Sequence, residues 1–140
     1  GKKIAILGFA FKANTNDTRE SPSKFICNEL LEEGAHLHIY DPKVNREQIS
    51  KDLNMEETSE KINSSNKDGI WFYADSLYDA IENSDAIIIM TEWVEFENLD
   101  WTFLSKKMRA PSWLFDTRAI TNIDLARASG INVWSVGNGK

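Results

Sequence analysis

The sequence predicts an α/β fold, a Rossmann-like, doubly wound, mostly parallel six-stranded sheet with helices on both faces. Three observations carry that reading. Six short apolar or alternating runs are separated by segments with helical spacing, an alternation that implies an open, largely parallel sheet. The first helical segment stops at Gly34 and passes at once into the alternating run Ala35-His36-Leu37-His38-Ile39-Tyr40, the order of a parallel crossover. The run Asp85-Ala86-Ile87-Ile88-Ile89-Met90 is continuously apolar, as expected of a strand with helices over both faces.

Taken in order, Ile4-Ala5-Ile6-Leu7 opens a first strand that ends near Phe9, and a loop of about a dozen residues follows. Strand-to-helix loops in such units usually need only about 2 to 6 residues, so a long polar one there suggests a ligand site. Ser21-Pro22 supplies an N-cap and a proline at the first helical position, where its missing N–H costs nothing. The helix after it carries Phe25, Ile26, Leu30 and Leu31 at helical spacing. The second strand closes at Asp41-Pro42, and a short surface helix is expected around Ile49 and Leu53. A loose polar loop, partly disordered by composition, is expected over residues 56–68, with a solvated insertion preferred over an interaction tail. Ile70-Trp71-Phe72 reads as a buried strand, and Asp75 or Ser76 as the cap of a helix through Leu77, Ala80 and Ile81. After the strand ending at Met90 and the segment Thr91-Glu92-Trp93, a helix is expected with Trp101, Leu104 and Met108 on one side. Trp113-Leu114-Phe115 forms the fifth strand, ending at Asp116-Thr117-Arg118. Thr121-Asn122-Ile123-Asp124 resembles a capping box, its helix runs to Gly130, and Ile131 to Val136 makes the sixth strand. Trp71, Trp113 and Trp134 fall inside strands and are expected in the core, whereas Trp93 follows the fourth strand at its C-terminal edge.

At 140 residues and 41% hydrophobic content the chain has the size of one domain with one core. Sixteen Lys and Arg against 22 Asp and Glu leave a formal charge of −6, which excludes a general nucleic-acid or membrane-surface binder, since either needs a dense basic face. Any anion must be held by a few placed cations. No apolar run reaches the roughly 18 to 20 residues of a membrane span and no signal sequence opens the chain, so a cytoplasmic location is expected. The start at Gly1, leading through Lys2-Lys3 straight into a strand, looks like a domain cut from a longer protein. Cys27 is the only cysteine and lies inside the first helix, where burial is a better reading than catalysis. His36 and His38 sit on the second strand, where a strand-face role is expected. No metal ligand set is expected.

In a doubly wound sheet ligands bind outside the carboxyl ends of the strands, near the point where strand order reverses. The loops there carry Lys12 and Arg19, then Glu92, then Arg118, so three of the sixteen cations fall at that edge. A dinucleotide-binding turn would read G-x-G-x-x-G after the first strand, whereas this turn reads Gly8-Phe9-Ala10-Phe11-Lys12-Ala13. Phe9 and Phe11 would obstruct a pyrophosphate laid on a helix N-terminus. The domain is therefore not expected to bind NAD by itself, and its phosphate contacts are expected from side chains, Lys12 as a point charge and Arg118 as a fork. Asp41, in Asp-Pro, is expected to shape a turn and not to hold a ribose.

Gly8-Phe9-Ala10-Phe11-Lys12, Asn16-Asp17-Thr18-Arg19-Glu20-Ser21, Ile39-Tyr40-Asp41-Pro42, Thr91-Glu92-Trp93 and Phe115-Asp116-Thr117-Arg118 together resemble the C-terminal, UDP-binding domain of the UDP-glucose 6-dehydrogenases, in the UDP-glucose/GDP-mannose dehydrogenase family. The resemblance extends over nearly all of the chain. It implies oxidation of the C6 alcohol of UDP-glucose to the carboxylate of UDP-glucuronate, by two hydride transfers to NAD with a cysteine thiolate holding the intermediate. It implies further that Phe11, Lys12 and Arg118 contact the UDP-sugar and that Arg19 reaches NAD across a domain cleft. No catalytic residue is carried over. In the family the nucleophilic cysteine, its helper lysine and asparagine, and the glycine-rich NAD turn precede this region, and Cys27 does not match that cysteine's motif. The resemblance thus also implies an N-terminal NAD domain and a homo-oligomer built mainly through a central helix. Thr117 stands where relatives often have Gly and Ala13 where some have Lys, which bears on the sugar more than on the nucleotide. The same domain of a UDP-N-acetylhexosamine or GDP-mannose dehydrogenase, or a non-catalytic nucleotide-binding or assembly module, are the alternatives. The plain alternative for Arg19 is a surface ion pair with Glu20 beside the helix start.

Overall fold

The structure, a computed structural model, describes residues 2–58 and 69–136. Most of the loose loop expected over 56–68 lies outside the described residues. Six strands form one sheet: β1 (Lys3–Leu7), β2 (His36–Tyr40), β3 (Ile70–Tyr73), β4 (Ala86–Ile89), β5 (Trp113–Asp116) and β6 (Asn132–Ser135). Their spatial order is β3-β2-β1-β4-β5-β6, and each of the five pairings is parallel. The order reverses between β1 and β4, which fixes the switch point there.

Five helices connect the strands: α1 (Pro22–Glu32), α2 (Arg46–Leu53), α3 (Leu77–Ile81), α4 (Trp101–Ser105) and α5 (Ile123–Ala128). Three of them are only five or six residues long, too short to persist without help, and every one is capped by a side chain at its start. Ser21, Asn45, Ser76, Asp100 and Asn122 each accept a hydrogen bond from a first-turn backbone N–H. The cap of α5 is Asn122, whose Oδ1 accepts from Leu125 N, and not Thr121, whose hydroxyl donates to Asp116. Helix α4 stops at Ser105, three residues before Met108, which nevertheless packs into the core from the following turn. A 3₁₀ turn at Val94–Phe96, which the sequence pattern did not announce, seats the fully buried Phe96.

Residues paired directly across a parallel ladder point to the same face. One row runs Trp71, Leu37, Ile4, Ala86, Trp113 and Asn132. Trp71 and Leu37 are fully buried at one end of it, while Trp113 is 40% exposed at the other. The next row on that face ends at Ile88, Phe115 and the 44% exposed Trp134. Right-handed crossovers explain the gradient. They put α1 and α2 over β1 to β3, where Trp71 donates its Nε1–H to the Met55 carbonyl just after α2. Once the chain crosses to β4, the same hand puts the later helices on the opposite face. There Ile87, Leu114 and Val133 are buried. Trp113 and Trp134 are therefore not core residues: they lie on strands, as expected, but on the half of a face that no helix among the described residues covers. The core proper is Ala5, Ile6 and Leu7 of β1 with Leu37, Ile39, Ile87 and Ile89, each at 0% exposure, and each large aliphatic side chain among them contributes about 1.5 to 3 kcal/mol by leaving water.

Candidate ligand site at the switch point

The turn after β1 is held by its own main chain. Gly8 N donates to the Tyr40 carbonyl, and Phe9 N and Ala10 N both donate to Asp41 Oδ2, at 2.8 and 2.9 Å. Phe11 N donates to the Asp17 carbonyl. On the acceptor side, the carbonyls of Gly8, Phe9, Ala10 and Phe11 receive Ser23 Oγ, Ser21 Oγ, Thr91 Oγ1 and Arg118 Nη2. All eight main-chain groups from Gly8 to Phe11 are thus engaged, and none of these four N–H groups remains to cradle a pyrophosphate. Gly8 is required here twice over. Its φ is +102°, and a Cβ would stand 2.4 Å from the Thr91 side chain.

Two buried carboxylates organise the rim. Asp41, just past β2, takes Phe9 N, Ala10 N and Trp93 Nε1 on Oδ2 and Lys43 N and Val44 N on Oδ1. One side chain therefore binds the loops after β1, β2 and β4. It has no capacity left for a ribose, in keeping with the expected turn role. Trp93 is buried with its only polar atom spent on Asp41, which makes it a packing residue. Asp116, at the end of β5, does the same for the next loop, accepting from Arg118 N, Ile120 N, Thr121 N and Thr121 Oγ1. An aspartate at the C-terminal end of a strand is the sequence signal for both, but the donors come from residues up to 52 positions away and are not legible in it.

Phe11 and Arg118 come together. Arg118 Nη2 lies 3.1 Å from the Phe11 carbonyl and 3.5 Å from Glu92 Oε1, so the loops after β1, β4 and β5 meet at one guanidinium. The Phe11 ring is 41% exposed, unlike Phe9, which is wholly buried beneath the turn. Lys12 is exposed beside it and makes no hydrogen bond or ion pair among the described residues. Arg19 is apart from this cluster: its guanidinium is 88% exposed and grips Asp17, through Nε and Nη2 at 3.1 and 2.9 Å, instead of Glu20. That hydrogen-bonded pairing holds the Asp17 carboxyl down to about 2. Concavities open to solvent lie along α2 and between α3 and α4.

Cys27, within α1, is fully buried, and desolvation pushes its thiol up to about 12, the opposite of what a nucleophilic thiolate needs. His38 stacks on Phe72 at 4.7 Å and burial drives it down to about 4, a strand-face histidine kept neutral. Among the described residues no group of three His, Cys, Asp or Glu could hold a metal ion, and no helix is long and apolar enough to cross a membrane.

The chain has relatives among known proteins. The family model for the UDP-glucose/GDP-mannose dehydrogenase family, UDP binding domain, matches residues 5–123. The chain is 43% identical over 139 residues to a UDP-glucose 6-dehydrogenase of Drosophila melanogaster, covering 97% of this chain and 28% of the relative. It is 50% identical over 119 residues to one from Pongo abelii, covering 85% of this chain and 24% of that protein. The chain thus spans about a quarter of the length of the curated relatives it matches. Among solved structures, a UDP-D-ManNAc dehydrogenase from Pyrococcus horikoshii superposes over 99% of this chain and 26% of its own, with a TM-score of 0.69 at 28% identity. A parallel sheet in the order 3-2-1-4-5-6, a family model over residues 5–123 and relatives of these names lead to one assignment: the chain belongs to the UDP-glucose/GDP-mannose dehydrogenase family, as its UDP-binding domain.

Proposed function

We propose that residues 1–140 are the nucleotide-sugar half-site of an NAD-dependent dehydrogenase that oxidises UDP-glucose at C6 to UDP-glucuronate, with Phe11, Lys12 and Arg118 on the UDP-sugar. One observation carries the reading: where a dinucleotide fold would offer backbone N–H groups, every main-chain group from Gly8 to Phe11 is already bonded, and an exposed lysine and a half-exposed arginine stand at the same edge. Such a site holds a diphosphate by charged side chains. The residues of this chain do not fit NAD as its principal ligand. In the whole enzyme NAD accepts hydride, and its phosphate cradle and the thiolate nucleophile come from a preceding domain. Arg19, with its guanidinium extended into solvent, is the residue here that reaches toward NAD across the cleft. The bare half-face under Trp113, Phe115 and Trp134 supports a role in packing against the rest of the polypeptide and in a homo-oligomer.

The test is a thermal-shift titration of the 140-residue chain with UDP, UDP-glucose and NAD. UDP and UDP-glucose are expected to raise the melting temperature in a concentration-dependent way and NAD to leave it nearly unchanged. Stabilisation by NAD greater than by UDP would overturn the assignment.

A further inference from the structure

The tripeptide Asp-Thr-Arg occurs twice in the chain, as Asp17-Thr18-Arg19 before α1 and as Asp116-Thr117-Arg118 at the end of β5. In both copies the aspartate Oδ1 accepts from the backbone N–H of the arginine, at 2.9 and 3.0 Å. In both, the residue after the arginine has a left-handed backbone, Glu20 at φ +58° and Ala119 at φ +57°. The turns are alike, but the guanidinium groups are not. The second oxygen of Asp116 is filled by Ile120 N, Thr121 N and Thr121 Oγ1, and Arg118 turns away to the Phe11 carbonyl. The second oxygen of Asp17 receives Arg19 Nη2 at 2.9 Å, while Oδ1 also takes Arg19 Nε at 3.1 Å.

A guanidinium presents two forks of N–H donors, an inner one on Nε and Nη2 and an outer one on Nη1 and Nη2. Asp17 occupies the inner fork. The outer fork stays open: Nη1 makes no hydrogen bond among the described residues, and the Arg19 side chain is 88% exposed. Asp17 is itself tied down, its N–H donating to Thr15 Oγ1 and its carbonyl accepting from Phe11 N. An ion pair this exposed contributes little to stability. Its effect is to hold a long side chain in one orientation before a ligand arrives, so that less conformational freedom is lost on binding. The open fork has the planar, two-donor geometry that suits a phosphate.

We infer that Asp17 is a positioning residue for Arg19: it grips the inner fork so that the outer fork is presented to a phosphate of NAD held by the preceding domain. This rests on the reading above in which Arg19 reaches NAD across the cleft. The carboxylate lies on a different edge of the guanidinium from the open fork, so it orients Arg19 without occupying the donors that meet the ligand.

The experiment is steady-state kinetics of the whole enzyme and its variants Asp17→Asn, Arg19→Lys and Arg19→Ala, with NAD and UDP-glucose varied in turn. Asn keeps the size of Asp17 and removes the charge that grips the fork. Asp17→Asn is expected to raise the KM for NAD roughly three- to tenfold, the effect of freeing one long side chain, with kcat and the KM for UDP-glucose unchanged within about twofold. Arg19→Lys, at an exposed position where folding is not at stake, keeps the charge but has no fork, and is expected to resemble Asp17→Asn. Adding Asp17→Asn to Arg19→Ala should change nothing further, because the residue acted upon is gone. An unchanged NAD KM in Asp17→Asn would overturn the inference, and so would a lowered one, which would show that the carboxylate masks the guanidinium. Equal losses in kcat and in both KM values, or Arg19→Lys behaving as wild type, would overturn it too. If Arg19→Ala itself left the KM for NAD unchanged, the reading that Arg19 meets NAD would fall, and the inference with it.

Discussion

Arg118 Nη2 donates a 3.1 Å hydrogen bond to the carbonyl of Phe11, a residue 107 positions earlier in the chain. This contact ties the loop after β5 to the loop after β1 and brings two of the residues proposed to hold the UDP-sugar into one unit. Arg118→Ala is expected to lose it together with the proposed ligand contact, and Lys12→Ala to lose the exposed cation. Each removes a charge-assisted interaction worth about 1.5 to 3 kcal/mol, or roughly ten- to hundredfold in UDP affinity by calorimetry. Cys27→Ser, a change in a fully buried side chain away from the site, is expected to leave UDP affinity unchanged and only to lower stability.

Asp41 is expected to be among the most costly positions in the domain to change. Both of its oxygens accept, two N–H groups on one and three on the other. An asparagine can accept with only one side of its amide, and its NH₂ would face donors on the other. Asp41→Asn should therefore lower the unfolding free energy by at least about 3 kcal/mol in a urea titration. An unchanged midpoint would show that the three loops do not depend on it.

Two glycines with left-handed backbone separate strain from steric clash. Gly130 has φ +93° and open space around a built Cβ, so Gly130→Ala should cost about 1 kcal/mol. Gly8 has φ +102° and a Cβ that would also lie 2.7 Å from the Thr91 backbone nitrogen, which cannot swing away. Gly8→Ala is expected to cost more than about 2 kcal/mol. Similar melting temperatures for the two variants would contradict the packing at the switch point.

The stability of the domain should fall on mild acidification through His38. Burial, and after it the charges of Lys3 and His36, lower its imidazole from the usual 6.5 to about 4. Above pH 6.5 it is neutral in both states and contributes nothing to the pH dependence. Between pH 6.5 and 4 the unfolded chain binds a proton that the folded chain refuses, so stability declines as pH falls through that window. His38→Phe, which retains an aromatic ring against Phe72, should flatten the melting-temperature profile between pH 6.5 and 4. A slope equal to that of the wild type would assign the effect to other groups.

The sequence by itself determined the elements and their succession. Ser21-Pro22 starts α1 and the positive φ of Gly34 ends it, and the alternating or continuously apolar runs become the six strands. It also determined that the turn after β1 lacks a dinucleotide-binding glycine pattern, because the residues that would obstruct it, Phe9 and Phe11, are in that same short stretch. These features are local: capping, turn conformation and hydrophobic period are set by residues a few positions apart. Only the tertiary structure decided that Trp113 and Trp134 stand in solvent while Trp71, in the same row as Trp113, is buried, because coverage of a sheet face depends on which side each crossover passes. It alone decided that Arg19 binds Asp17 and not Glu20, that Asp41 joins three loops, and that Arg118 meets both Phe11 and Glu92. Those partners are brought together by the parallel winding of the sheet, which sets at one edge loops that lie far apart along the chain.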